Sequence, residues 1–174
     1  HPAGIAFDPG RNRLLVSDER GPRILAFSLA GGLLASYALE DTPSLRALAW
    51  NERSGRPWGI PESEPNKLCE LTLNDQAGTA AITRAIAAVD LAPVLAGASL
   101  RALAVDTGLN PNLNTLANRF WLLTDTGDLA QATFDPRLVS MRELSPLRRI
   151  RTALIEPEGT VLLTGGGVLA ATTR

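Results

Sequence analysis

The chain has 174 residues, of which 45% are hydrophobic and 20% are charged, and this balance is typical of a folded globular protein. The formal net charge of −1 and the scattered basic residues argue against nucleic-acid binding. No apolar run approaches the roughly 18–20 residues needed to span a bilayer, and a single cysteine excludes an intrachain disulfide and a cysteine-rich zinc site.

A short apolar stretch that ends in a polar turn residue occurs four times along the chain. The four copies span residues 4–8, 47–51, 102–106 and 152–156. After each copy come a turn, a second apolar run, a tight turn, and a third run in which the side chains alternate with a period near two. In the first three copies a fourth run closes the unit, around residues 33–39, 80–89 and 138–144.

Short strands that recur in the same order, with turns at the same places, indicate a repeat architecture. We therefore predict an all-β fold, a β-propeller with about four blade-like repeats of four antiparallel strands. The repeats would cover about residues 1–43, 44–98, 99–147 and 148–174 of a single domain. A β-sandwich with coincidental internal similarity is the alternative architecture.

The fourth repeat is expected to be incomplete, with three strands and no outermost one. An unpaired sheet edge favours association with another strand. The missing strand would come from another protein chain or from a homo-oligomer, or the chain would be part of a larger ring. A third alternative is a small ring whose last blade is incomplete.

One repeat carries a family resemblance. The residues Gly4-Ile5-Ala6-Phe7-Asp8-Pro9, Leu14-Leu15-Val16-Ser17-Asp18 and Arg23-Ile24-Leu25-Ala26-Phe27 resemble a blade of NHL-like and gluconolactonase-like bacterial propellers. These families include calcium- or zinc-dependent lactonases, esterase-like proteins and modules that only bind. The resemblance therefore implies the architecture and leaves the activity open.

Three carboxylates occupy the same position in successive repeats, directly after the second strand: Asp18, Glu62 and Asp125. Carboxylate oxygens are preferred ligands of Ca²⁺, so these residues form a candidate metal site. The alternative is turn chemistry, because acidic side chains commonly cap tight hairpins.

Three arginines form a second register, just before the first strand of a repeat: Arg46, Arg101 and Arg151. Guanidinium groups bind carboxylate and phosphate in bidentate fashion, so these arginines could bind an anionic ligand. The favoured interpretation is ion pairing between blades, with the arginine set facing the carboxylate set.

Catalytic side chains are scarce. His1 is the sole histidine, which argues against a serine or cysteine nucleophile with a histidine base inside the fold. We expect Cys69 to be a buried, inert thiol.

The sequence thus favours a non-catalytic binding or assembly module that docks with other protein chains. A periplasmic or extracellular location is favoured over a cytoplasmic one. The alternative is a metal-dependent lactonase- or esterase-like hydrolase.

Overall fold

The computed structural model describes residues 1–87, 91, 95, 97–106, 119–133, 150–155, 161–165 and 168–172. Every element bounded within these residues is a β-strand, which confirms the all-β prediction. The chain divides into two compact units, His1–Ala87 and Ala88–Arg174. None of the described residues belongs to a helix long and apolar enough to cross a membrane.

The first unit contains eight strands. They are β1 (Pro2–Asp8), β2 (Arg13–Asp18), β3 (Arg23–Ser28), β4 (Leu33–Leu39), β5 (Leu45–Asn51), β6 (Arg56–Pro61), β7 (Leu68–Asn74) and β8 (Thr79–Ile86). Strands β1 to β4 form one antiparallel meander, and β5 to β8 form a second. The segment around Ala80 is therefore a strand, as its Thr and Ile content predicts.

The two meanders are joined at their outermost strands, which the sequence analysis did not foresee. Strands β4 and β8 pair in parallel over two residues each, so the sheet order is β1-β2-β3-β4-β8-β7-β6-β5. The Ala38 amide donates to the Gly78 carbonyl at 2.8 Å, and the Glu40 amide donates to Ala80 at 3.1 Å. Instead of two separate four-stranded blades, this unit has one eight-stranded sheet. The outer strand of each meander partly fills the backbone hydrogen-bonding capacity of the other.

Three hairpin turns of the first unit share the same cap by an Asn or Asp side-chain oxygen. The Asn51 Oδ1 accepts hydrogen bonds from the Arg53 and Ser54 amides, and Asn74 does the same for the two amides at 76 and 77. The last turn residue has a left-handed backbone in each, with φ of 64° at Gly55 and 65° at Gly78. The Asp8 turn repeats the pattern with Asn12 at φ 49°, a conformation that Asn tolerates better than most residues.

The core of the first unit lies between the two meanders. It is lined by buried apolar side chains from both: Ala6, Leu15, Ile24, Ala26, Tyr37, Leu39, Leu45, Leu48, Leu71 and Ala80. Strand β1 approaches β5 so closely that a Cβ added at Gly4 would lie 2.4 Å from the Leu48 nitrogen. Only a residue without a side chain fits at this crossing.

The described residues of the second unit form two three-stranded antiparallel sheets. The first consists of β9 (Leu100–Asp106), β10 (Arg119–Thr124) and β11 (Leu129–Thr133), and the second of β12 (Ile150–Ile155), β13 (Val161–Gly165) and β14 (Val168–Thr172). Trp121 of β10 is buried, as is Trp58 of β6 in the first unit. The run predicted around residues 138–144 lies outside the described residues.

Candidate protein-docking surface

Asp18, the first carboxylate of the predicted metal site, ends β2 and is buried. Its Oδ2 accepts two hydrogen bonds from Arg23, at 2.9 Å from Nε and 2.8 Å from Nη2. Its Oδ1 accepts from the amino group of His1 and from the Arg20 amide, both at 3.1 Å. The guanidinium first, and then the amino group and the amide, hold the pKa of Asp18 well below its usual range.

Glu62, the second carboxylate, follows β6 and binds Arg46 of the adjacent strand β5. The Arg46 Nη2 donates to Oε1 at 2.6 Å and the Nε donates to Oε2 at 3.0 Å. This is a bidentate pair within one antiparallel sheet, and it uses both oxygens of the carboxylate. One member of the predicted arginine set and one of the carboxylate set are thus in contact across two neighbouring strands.

Asp125, the third carboxylate, is exposed in the turn after β10. Its Oδ1 accepts from the Ser99 amide at 3.0 Å, and its own amide donates to the Ser99 carbonyl at 2.8 Å. Arg101, the second arginine of the predicted register, is exposed on β9. Arg151 lies on β12, and its side chain is outside the described part of the structure.

The structure adds two observations about candidate chemistry. Among the residues described, no three His, Cys, Asp or Glu side chains form a group that could hold a metal ion. Cys69 is fully buried on β7, and burial raises the pKa of its thiol to about 11. Because the thiolate is the nucleophilic form, this cysteine is chemically inert at neutral pH.

A buried ion pair that sequence reasoning missed holds one end of the first meander. The Arg13 Nε donates to Asp8 Oδ2 at 2.9 Å, and the side chains are 6% and 1% exposed. The guanidinium also lies over the Tyr37 ring, 5.5 Å from its centroid. The signal was present in the turn sequence, since Asp8 and Arg13 face each other across the β1–β2 hairpin.

This ion pair extends into the second meander through Tyr37 and Asp75. The Tyr37 hydroxyl donates to the Asp75 carboxylate, and Arg13 Nη1 lies 3.3 Å from the same oxygen. Arg11 binds the other oxygen of Asp75 at 2.9 Å. The hydrogen bond from Tyr37 lowers the pKa of Asp75, while burial and that bond raise the pKa of Tyr37. The network therefore joins the β1–β2 and β7–β8 turns and has a structural role.

The first meander has apolar side chains on both of its faces. One face contributes to the core, with Ala6, Leu15 and Ala26 aligned across three strands. The opposite face, here called the outer face, is formed by two rows of paired residues on β1, β2 and β3: Ile5, Val16 and Leu25, and Phe7, Leu14 and Phe27. Continuous apolar runs such as those of β2 and β3 are typical of strands that are covered on both sides.

The outer face is only partly shielded from solvent. Ile5 is 61% exposed and Phe7 is 44% exposed, and the other four side chains are half-buried. The equivalent residues of the second meander are less exposed. Leu48 and Trp50 occupy the positions of Ile5 and Phe7 in the next repeat. Leu48 is 4% exposed and Trp50 is packed against the core. Contiguous apolar surface that is exposed to solvent can mark an interaction site, so the outer face is a candidate docking surface.

Comparisons with known proteins bear on the fold of the chain. No family model matches the chain, and no curated protein is significantly similar to it in sequence. Three similar solved structures have TM-scores above 0.5. They are Kuenenia stuttgartiensis hydrazine synthase (TM-score 0.57, 12% identity), a "putative 6-phosphogluconolactonase" from Bacteroides uniformis (0.55, 17%), and a chain of a mitotic checkpoint complex (0.57, 9%).

These matches concern the fold alone, since every identity is below 25%. They cover 98–100% of this chain but only 44%, 50% and 50% of the three longer chains, in the same order. The Bacteroides protein and the checkpoint-complex chain have propeller-like folds. The chain is therefore a propeller-like all-β protein that spans about half the length of its structural neighbours.

Proposed function

We propose that this chain is a non-catalytic propeller module that binds other protein chains through the outer face. The observation that carries the proposal is the exposure of Ile5 and Phe7 on a sheet whose strands are apolar on both sides. Each Å² of apolar surface removed from water contributes about 25 cal/mol of favourable free energy, so this surface favours association with a complementary protein surface. We also propose that the chain has about four blade-like repeats, and the two four-stranded meanders of the first unit support this number.

The polar groups support a structural rather than a catalytic use. Asp18 and Glu62 are each held by a guanidinium group, and Cys69 is buried as a thiol. Side chains that are already saturated by partners inside the fold must give up those bonds before they can bind a substrate. Arg46 and Glu62 pair two strands of one repeat, and not two blades as expected from the sequence. Pairing between blades through Arg101 and Arg151 stays a proposal.

Site-specific cross-linking tests the proposed function. A photo-reactive amino acid replaces Ile5 on the outer face, and a matched variant carries it at Leu29, which is similarly exposed at 57% but lies in the β3–β4 turn. Irradiation in extract of the source organism should give a discrete protein adduct from position 5 and none from position 29. Equal adduct yields at the two positions would contradict docking through the outer face.

The alternative is a metal-dependent lactonase- or esterase-like hydrolase that uses Asp18, Glu62 and Asp125. It predicts a melting temperature that rises with Ca²⁺ or Zn²⁺ and a lactonase or esterase activity that is lost in Asp18→Asn. The binding module predicts a melting temperature indifferent to either ion and no such activity. The two functions are therefore separated by one titration and one activity assay on the same preparation.

A further inference from the structure

We infer that the turn between β3 and β4 inserts into the surface of a lipid bilayer, a contact separate from the outer face and from the proposed protein docking. This turn, here called the leucine turn, comprises residues 29–34. Leu29 is 57% exposed, Leu33 61% and Leu34 57%, and Ala30 and the two glycines that follow it are exposed as well. In the described part of the chain, five large hydrophobic side chains are exposed, and three of them lie in this turn.

A β-bulge explains why two consecutive leucines face solvent. Ala26 of β3 lies opposite Ala35 of β4, whereas the next residue, Phe27, lies opposite Leu33. Leu34 is therefore the extra residue of the bulge, and the usual alternation of side chains between the two faces of the sheet is broken there. Neither leucine belongs to the core of the first unit.

The neighbouring turns show that the fold does not require apolar residues at this place. The β7–β8 turn is the equivalent turn of the second meander, at the same end of the sheet because β4 and β8 are parallel, and it exposes Asp75 and Gln76. The β1–β2 turn, also at this end, exposes Arg11. By contrast, no charged residue occurs in the sequence between Arg23 and Glu40. The leucine turn therefore differs from its neighbours in chemistry and shares their position in the fold.

Three backbone amides at the leucine turn find their acceptors inside the hairpin. The Ser28 amide donates to the Gly32 carbonyl at 2.8 Å, and the Gly31 amide donates to the Ser28 carbonyl at 2.9 Å. The Gly32 amide donates to the Ser28 hydroxyl at 3.0 Å. Because backbone groups that are paired inside the protein do not need water, these bonds reduce the cost of moving the turn to the hydrocarbon boundary.

A bilayer suits this turn better than a protein partner does. The turn is the convex end of a hairpin, and residues 29–34 are leucine, alanine and glycine, which offer no side-chain hydrogen bonds. Protein interfaces combine apolar contacts with about one hydrogen bond per 100–200 Å², whereas the boundary between lipid headgroups and acyl chains accepts apolar side chains without directed bonds. Because a few leucines bury little apolar area, the contact should be weak and reversible.

The test is co-flotation of the full 174-residue chain with phosphatidylcholine vesicles at millimolar lipid. Wild type should float with the vesicles, and added salt should not release it, because salt screens only charge interactions. Leu29→Asp and Leu33→Asp should each lower the partition coefficient about tenfold or more. Ile5→Asp is the matched control: Ile5 is as exposed as Leu33 but lies on the outer face, so this variant should float like wild type. Circular dichroism and thermal melting establish that each variant is folded.

A fluorescent label at the turn gives a second readout. Ala30→Cys places a reactive thiol there, and the native Cys69 does not compete for the label because it is fully buried. The emission of an environment-sensitive dye at position 30 should shift to the blue when vesicles are added, and lipids brominated on their acyl chains should quench it. An unshifted, unquenched dye on vesicle-bound protein would show that the turn stays in water, and would overturn the inference.

The remaining outcomes separate this inference from the proposed function. Failure of wild type to float, flotation that needs anionic lipid and is lost at high salt, or undiminished flotation of Leu33→Asp would each overturn insertion of the leucine turn. None of these results affects cross-linking from position 5, which is carried out in extract cleared of membranes. Leu29 stays exposed in that extract and so remains the control for protein contacts. A discrete protein adduct from position 29 would assign the leucine turn to a protein partner and overturn the inference.

Discussion

Gly4→Ala probes the close contact between β1 and β5 with a single methyl group. The added Cβ would lie 2.4 Å from the Leu48 nitrogen and 2.7 Å from the carbonyl carbon and Cα of Ala47. All three are backbone atoms, so the clash cannot be relieved by rotating a side chain. Overpacking of this kind costs about 1–3 kcal/mol of unfolding free energy, and we expect the upper part of that range. The effect runs against the usual gain of about 0.4–1 kcal/mol from replacing glycine by alanine.

Two matched variants turn the prediction into a graded series. At Gly10 the nearest atom to an added Cβ is 3.5 Å away, so Gly10→Ala should be neutral or slightly stabilising. At Gly59 the added Cβ meets flexible Leu45 methyl groups at 3.1 and 3.2 Å and the Ala47 carbonyl oxygen at 3.2 Å, which predicts an intermediate loss. Urea denaturation at one pH gives the three free energies. A Gly4→Ala protein as stable as Gly10→Ala would refute the close packing of β1 on β5.

Three further predictions concern the polar groups. Arg13→Met should cost about 3–5 kcal/mol in urea denaturation because it removes the buried guanidinium that binds the buried Asp8 carboxylate, which then keeps only the half-exposed Arg11 guanidinium, 3.7 Å away. Arg11→Met, at half-exposed contacts with Asp75 and Asp8, should cost at most about 1 kcal/mol, and equal losses would contradict the buried pair. The lowered pKa of Asp18 stabilises the fold above about pH 4, and this contribution disappears as the pH falls towards the folded-state value. Wild type should therefore lose more stability than Asp18→Asn between about pH 5 and pH 2, and parallel pH profiles would contradict this. Cys69 should resist alkylation at about pH 8 until the protein is unfolded in urea, since its pKa is about 11; rapid labelling of the native protein would show that the thiol is accessible.

The strands were predictable because their signals are local. Turn residues such as Asp8 and Asn51 bound each run, and the apolar runs between them have strand length. The burial of Cys69 was predicted as well, and this residue is fully buried on β7. The sequence therefore predicted the succession of strands along the chain in the first unit.

Apart from the Asp8–Arg13 pair, whose signal lies in one hairpin, the features that sequence reasoning missed depend on long-range placement. The parallel pairing of β4 with β8 joins segments about forty residues apart and has no composition signature. The contact of Tyr37 with Asp75 likewise depends on how two hairpins meet. The outer face could not be recognised either, because continuous apolar runs such as those of β2 and β3 predict two buried faces and do not reveal which one is exposed.

The central claim is that the outer face binds protein, and hydroxyl-radical footprinting of Phe7 tests it most directly. Oxidation of Phe7 is compared between the dilute, isolated chain and the chain captured under native conditions from its source, with Leu29 as the internal control. The account predicts strong protection of Phe7 in the captured chain and unchanged oxidation of Leu29. Equal oxidation of Phe7 in the two samples would show that the outer face stays exposed to solvent, and would contradict the account.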